Sequence, residues 1–351
     1  MTEQQESGHE HSPACTAHEH AFGGQAVIEG VMMRGRHSWG VAVRRPSGDI
    51  ARVAYPLPPA GSKNKIARWP VIRGIVALYE SMALGIKALG LSANISLEGL
   101  TEAEAEKTRA ATEAAKEAGE VPAGPSEVVE VDEQPPAFGW KQMAVTVVVA
   151  LGMAVALFIV VPLVVVKQFQ ETFSNPILFN FVEGIIRIVI FIIYLGVVSL
   201  IPDLRKVFEY HGAEHKLIHA YEACGRPDPE FARKFSTRHP RCGTGFLLLV
   251  FVLAVFLFAL VGKPSVPILV LSRIIGIPII VGIGYELGIK WAGRSKRLWA
   301  RILLWPGIQL QRLTTREPSF EQLEVAAAAL EEVIALDAAE IASQKEALAL
   351  T

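Results

Sequence analysis

Four long apolar segments constrain the fold of this chain more than any other feature of its sequence. They cover Met143 to Val166, Ile177 to Ile201, Gly245 to Gly262 and Val266 to Ile289. A helix needs about 20 apolar residues to cross a bilayer, and each segment comes close to that length or exceeds it. The sequence therefore predicts an α-helical membrane protein with four transmembrane helices, in a transmembrane domain over 140–289 that contacts membrane lipids.

Basic residues predict the orientation of these helices. The long connection 202–244 and the residues after the fourth segment are rich in Lys and Arg, whereas the other two connections carry only Lys167 and Lys263. Because cytoplasmic loops of membrane proteins carry an excess of Lys and Arg, we expect 202–244 and both termini in the cytoplasm. The expected location is the cell (plasma or inner) membrane, with multiple passes.

The residues before the first apolar segment divide into four parts. Residues 1–22 form a polar, His-rich tail around Cys15. Because the tail has no apolar core, we expect no secretory signal. We expect the tail to be disordered and to bind metal only incidentally. Residues 23–60 predict a small cytoplasmic β unit with strands at Val27 to Arg34, Trp39 to Arg45 and Ile50 to Tyr55.

A helical pattern follows over 63–99, where Arg73, Glu80 and Lys87 recur every seven residues on an otherwise apolar helix. This pattern fits an amphipathic helix in the membrane interface, and it also fits a re-entrant element. Residues 100–138 are rich in Ala, Glu and Pro and predict an acidic disordered linker, or a solvated helix followed by disorder. Residues 290–351 predict a cytoplasmic C-terminal helical tail.

Composition excludes two classes of protein. Thirty-four Lys and Arg balance 35 Asp and Glu, so no nucleic-acid partner is expected. Three cysteines are too few for a disulfide framework. A pore would need oligomerisation because four spans per chain are few, so a homo-oligomer stays among the expected partners.

The stretch around His211 carries the clearest chemical motif. His211 and His215 are four residues apart and therefore project from one face of a helix. Together with Glu214 they give the order His-x-x-Glu-His, which in inverted zincins supplies two zinc ligands and a general base. His219 extends the same face by a further turn, although helical drift means that it need not share the ion.

A second cluster, His239 and Cys242, follows in the same cytoplasmic loop. Its spacing offers one nitrogen and one sulfur ligand from a tight turn. Imidazole and thiolate ligands favour Zn²⁺, and Fe²⁺ is an alternative when a carboxylate joins. The predicted metal ligands are thus His211, His215, His239 and Cys242, with Glu214 as catalytic base. Three protein ligands would keep a fourth position open for water, as in a catalytic site, whereas four would close a structural site. The sequence does not decide between the two.

Charged residues within the apolar segments form a separate group. Glu183 and Arg187 lie on the second segment and Arg273 lies at a similar depth on the fourth. Since unpaired charges are costly in a bilayer, we expect an ion network that fastens the two helices together, or else a polar pathway. Glu286 lies at the cytoplasmic end of the fourth segment, where it is a second candidate for a catalytic acid or base, or a distant ligand.

Several long stretches resemble the YqhQ family of bacterial membrane proteins. They include GGQAVIEGVMMRG from Gly23, WPVIRGIVALYESM from Trp69, FNFVEGIIR from Phe179, VFEYHGAEHK from Val207 and HPRCGTGF from His239. Shorter ones are GYEL, TTREP and LEVAAAAL. The family has no settled activity and is described only as predicted metal-dependent enzymes. The resemblance implies a site at His211, Glu214, His215, His239 and Cys242, and says nothing about the substrate.

These observations favour an integral membrane protein with a metal site on its cytoplasmic face, acting as a metal-dependent hydrolase. One alternative is a transporter or channel-like oligomer that uses the intramembrane charges. Another is a membrane scaffold whose metal site is structural.

Overall fold

The apolar segments fold into long helices, in a computed structural model that describes residues 22–57, 66–117, 140–168, 175–262, 266–295 and 297–349. The helices are α1 (Ile72–Glu117), α2 (Trp140–Val155), α3 (Val161–Lys167), α4 (Pro176–Val198), α5 (Pro202–Cys224), α6 (Pro229–Ala232), α7 (Gly243–Val261), α8 (Val266–Gly284), α9 (Leu298–Thr314) and α10 (Phe320–Ala349). A π-helical turn, Ala156–Val160, joins α2 to α3, and a π-helix, Tyr285–Trp291, continues α8.

Within the described residues, five helical stretches are long and apolar enough to cross a membrane, so the chain has the character of a membrane protein. Four of them, Ala144–Val166, Pro176–Val198, Gly243–Val261 and Leu271–Arg294, correspond to the predicted spans. The fifth is Ile72–Leu97, in the region for which the sequence left an interfacial or a re-entrant helix open. The number of crossings therefore depends on the role of α1.

The N-terminal β unit is a four-stranded antiparallel sheet in the order β1-β2-β3-β4. Its strands are β1 (Gly23–Val27), β2 (Gly30–Arg34), β3 (Ser38–Arg44) and β4 (Ile50–Pro56). The first predicted strand is in fact part of a hairpin, in which Val27 pairs with Gly30 and the chain turns at Ile28 and Glu29. Glu29 has a φ of 50°, a left-handed conformation that the apolar character of its neighbours conceals in the sequence.

Helices cover both faces of this sheet. Because side chains alternate along a strand, Val31 and Met33 pack against α5 and α10, while Met32 of the same strand faces α1. On the α1 side, Ala88 and Ile95 are buried in the apolar cluster. The apolar face of α1 is therefore used, at least over this part, to pack against protein.

Hydrogen bonds tie the sheet to the C-terminal helix and to α5. Asp337 of α10 accepts hydrogen bonds from the backbone N–H of Arg36 (2.8 Å) and His37 (3.0 Å) and from the Ser38 hydroxyl (2.6 Å). Lys206 of α5 pairs with Glu29 at 3.1 Å. The sheet, α5 and α10 thus form one packed unit.

Two predicted regions extend beyond the described residues. The His-rich tail lies outside them except for Phe22, and so does 118–138 of the predicted linker. The described part of that linker, up to Glu117, is a continuation of α1.

Candidate metal centre

Helix α5 places three histidines along one side. It begins with Pro202 in its first turn and ends at Cys224, followed by Gly225, whose φ of 65° suits a residue without a side chain. His211, His215 and His219 follow at intervals of four residues. Gly212 is required beside them, because a Cβ there would come within 2.0 Å of the Arg316 carbonyl oxygen. This close approach brings the connection between α9 and α10 against the site.

A single glutamine holds the second part of the site. The Gln311 side chain accepts a hydrogen bond from the His239 backbone N–H (2.8 Å) and donates one to the His239 carbonyl (2.8 Å). Both residues are buried. Cys242 follows as the last residue before α7. Helix α9 therefore fixes the turn that carries His239 and Cys242 relative to α5.

His211, His215 and Cys242 form the first candidate ligand group. One ligand atom from each lies within 4.8 Å of the others. His211 Nδ1 is 2.8 Å from the Thr314 carbonyl and His215 Nδ1 is 2.5 Å from the Thr237 carbonyl. Such contacts place the proton on Nδ1 and leave Nε2 free to bind a metal, as is usual for metal-binding histidines. His211 Nε2 is already 3.3 Å from Cys242 Sγ.

Electrostatics in this group favour an ionised thiol. Burial opposes ionisation of Cys242, but the His211 ring beside Sγ holds the pKa of the thiol well below its ordinary value. Burial alone would lower the pKa of His211, whereas the Cys242 charge raises it to about 9. Because the thiolate is the form that binds metals, the group is suited to a cation.

Glu214 lies beside the first group without being part of it. Its side chain is buried, and its Oε2 has no hydrogen-bond partner among the described residues. Gly24 of β1 lies directly against it, since a Cβ there would come within 2.9 Å of Glu214 Cγ. Burial raises the pKa of the Glu214 carboxyl, and the nearby histidines oppose that change. Its free oxygen is available for a proton or a ligand.

His239 belongs to a second candidate group, with His219 and Glu222. The His215 and His239 ring centroids are 5.6 Å apart, and the His219 and His239 centroids are 4.6 Å apart. The sequence predicted His211, His215, His239 and Cys242 as one set. The structure brings all four into one region, but His239 lies outside the group formed by the other three. For His219, the motif left open whether it could share an ion, and the structure places it in a group with Glu222 and His239.

Glu286 does not join either group. Its Oε1 accepts a hydrogen bond from Arg73 Nε at 2.6 Å, and Arg73 also contacts Oε2. Since both oxygens contact one guanidinium group, the predicted role of Glu286 as a base or a distant ligand has no support in its position. This pair could not be predicted, because Arg73 lies on α1, 213 residues away along the chain.

The predicted intramembrane charges do meet. Glu183 forms an ion pair with Arg187 on α4, and its Oε2 is 3.7 Å from Arg273 Nη2 on α8. Arg187 Nε also donates to the Phe158 carbonyl at 2.8 Å. Arg273 lies 3.9 Å from the centroid of the Phe258 ring on α7. Each guanidinium group thus contacts protein groups on a neighbouring helix.

Comparison with known proteins places the chain in a family. The chain is 30% identical over 328 residues to an uncharacterised protein, YqhQ, of Bacillus subtilis (strain 168), and the match covers 93% of this chain and 96% of the relative. No solved structure matches it. A family model described as a protein of unknown function (DUF1385) matches residues 69–336, which include both candidate ligand groups. On the family match, the chain belongs to the DUF1385 family of proteins of unknown function.

Proposed function

We propose that this protein is an integral membrane, metal-dependent enzyme of the hydrolase type, with His211, His215 and Cys242 as the ligands of one divalent cation. The observation that carries the proposal is the convergence of three ligand atoms from α5 and the turn before α7, with both imidazoles oriented by backbone carbonyls. Two imidazoles and a thiolate fit Zn²⁺, and Fe²⁺ is the alternative cation.

Three protein ligands suit a catalytic centre better than a structural one. Structural zinc sites are closed by four protein ligands, whereas catalytic sites keep a position for water or substrate. A cation there would act as a Lewis acid and lower the pKa of a coordinated water. Glu214, with a free Oε2 next to the group, is placed to accept the proton from the attacking water. The His-x-x-Glu-His order assigns it the same role.

An apolar cavity supports a substrate at the lipid–water boundary. It lies between α7 and α9 and has a volume of about 240 Å³. Leu248, Leu249, Ile302 and Pro306 line it, and Gln311, which holds the His239 turn, lies at its edge. Since α7 is a candidate span and α9 exposes Trp299 and Trp305, an acyl chain could enter from the bilayer with its polar group near the metal centre.

The packing favours four membrane crossings, with the sheet, α5 and α10 all on the same side of the membrane. The sheet precedes α1 and contacts α5, which follows α4, so the chain between them must cross the bilayer an even number of times. Helices α2 and α3, joined by their π-helical turn, make one crossing, and α4 makes a second. Because the total must be even, α1 does not cross the membrane. Likewise, α7 and α8 supply the two crossings between α5 and α10. With the basic residues of 202–244, the shared side is the cytoplasm.

Reporter insertion tests this topology. Green fluorescent protein inserted between Glu117 and Trp140 of the full chain should fluoresce, as should the same protein fused after Thr351, because both sites are then cytoplasmic. Alkaline phosphatase inserted between α7 and α8 should be active, because that connection is outside. An active phosphatase between Glu117 and Trp140 would mean that α1 crosses the membrane and would overturn the four-span arrangement.

Metal analysis tests the proposed centre. The protein is purified without a His tag and with His9, His11, His18 and His20 replaced by Asn, so that no tail histidine can bind metal. We expect zinc or iron in at least stoichiometric amount by elemental analysis, and a lower content in Cys242→Ser. A protein that is folded but contains no stoichiometric metal, and takes up none after dialysis against Zn²⁺, would exclude a metal-dependent enzyme.

A further inference from the structure

We propose that His219, Glu222 and His239 hold a second divalent cation beside the His211–His215–Cys242 group. One ligand atom from each of the three lies within 4.8 Å of the others. The second group shares no residue with the first, so this proposal does not depend on the proposed function. If both cations bind, the metal centre is a two-cation site in one row of imidazoles.

The hydrogen bonds made by His219 and Glu222 leave one atom of each side chain available to bind a cation. His219 uses Nε2 in a 3.0 Å contact with the Arg238 carbonyl, which leaves Nδ1 free. Glu222 Oε2 is 3.7 Å from His239 Nε2, too far for a hydrogen bond, and a cation between them would contact both. Glu222 Oε1 is engaged by Arg241, which fixes the plane of the carboxylate.

The strongest support for a cation at the second group comes from the His239 ring. The residue is only 3% exposed, and its Nε2 has no hydrogen-bond partner among the described residues. An unpaired polar atom in such a position costs about 1–3 kcal/mol, so native proteins seldom leave one unsatisfied without an ion or water. Nδ1 makes only a long 3.3 Å contact with the Arg241 backbone N–H. Binding through Nε2 moves the proton to Nδ1 and gives up that contact.

The two groups differ in donor type, which predicts different affinities. The first contains a thiolate, whereas the second offers two imidazoles and one carboxylate next to the positive charge of Arg241. Repulsion from the guanidinium group weakens binding of a cation at the second group. We therefore expect the first group to fill before the second.

Cobalt titration distinguishes the two groups, because only a thiolate ligand gives a sulfur-to-cobalt charge-transfer band. Co²⁺ is added to the metal-free full chain in detergent, with the four tail histidines replaced by Asn. We expect two Co²⁺ ions per chain at saturation and a charge-transfer band that stops growing after the first. His219→Ala should lose one ion and keep the band. Cys242→Ser should lose the band and keep one ion.

Two further variants are included, one as a second test of the ligand group and one as a control. Glu222→Gln removes the carboxylate with little change in shape, so it should also lose the second ion if His219→Ala fails to fold. Glu230→Gln is the matched control, because Glu230 is an exposed carboxylate of the same loop and lies outside both groups. Binding of a single ion that gives the charge-transfer band by the parent protein, or of two ions by the folded His219→Ala and Glu222→Gln variants, would overturn the second site. Absence of the band in a protein that still binds one ion through His219 would instead refute the first group alone.

Discussion

Replacing His215 with Ala should abolish cation binding at the first group, whereas Glu214→Gln should leave that binding intact. His215 supplies one of three ligand atoms, and its Nδ1 contact with the Thr237 carbonyl orients the ring. Loss of an outer partner of a metal ligand already costs roughly 10–100-fold in affinity, so loss of the ligand itself should cost more. Glu214 lies outside the group, and Gln keeps its size. The measurement is Co²⁺ affinity from the thiolate charge-transfer band.

The pair of variants separates a catalytic from a structural centre. His37→Ala and Glu209→Gln are suitable controls, since neither residue belongs to a candidate ligand group. Retained metal in Glu214→Gln together with loss in His215→Ala supports Glu214 as a base. Loss of metal in both would make Glu214 a fourth ligand and close the site. Unfolding of both variants would mean that the metal fastens the loop to α5, as a scaffold protein requires. Unchanged affinity in His215→Ala would contradict the assigned ligand set.

The residues of α5 could be predicted because helical geometry alone places them. Residues four apart share a helix face, so the spacing of His211 and His215 is enough to bring their rings together, and their centroids are 4.4 Å apart. The proximity of Cys242 to them was a reasonable expectation from ligand chemistry. None of this required knowledge of the tertiary structure.

The partner of His239 could not be predicted in the same way. The direction of the turn that carries it is set by Gln311, which lies 72 residues further along the chain, and one glutamine in an amphipathic helix gives no signal of such a role. Glu286 is a similar case, because its partner Arg73 is 213 residues away. Long-range hydrogen bonds of this kind decide which of several plausible ligands meet.

The ambiguity of α1 has a different physical origin. Burial against a sheet and burial in lipid both require apolar side chains, so hydropathy cannot tell them apart. Ala88 and Ile95 meet that requirement by packing on β-strand residues. The proposed arrangement therefore depends on the contacts between the sheet and α5 rather than on hydropathy, because contacts between elements outside the membrane cannot form across a bilayer.

Glu183→Leu should destabilise the membrane helices more than any other single change in that region. The substitution removes the carboxylate that contacts both Arg187 and Arg273 and leaves two positive charges close together between α4 and α8. Breaking a buried ion pair costs about 3–5 kcal/mol, and the remaining charges are poorly solvated there. The free energy of unfolding in mixed detergent micelles should fall by that order. Ile193→Ala, a change at an exposed position of the same helix, is the control.

A double substitution shows whether the effect arises from charge. In Glu183→Leu combined with Arg273→Leu, one of the two uncompensated charges is gone, so we expect part of the lost stability to return. Arg187 retains its hydrogen bond to the Phe158 carbonyl in this variant. If the network only holds helices together, Arg273→Leu should weaken folding or assembly without producing an ion flux in vesicles. A stable Arg273→Leu protein with an altered ion flux would contradict that role and favour a polar pathway through the same residues.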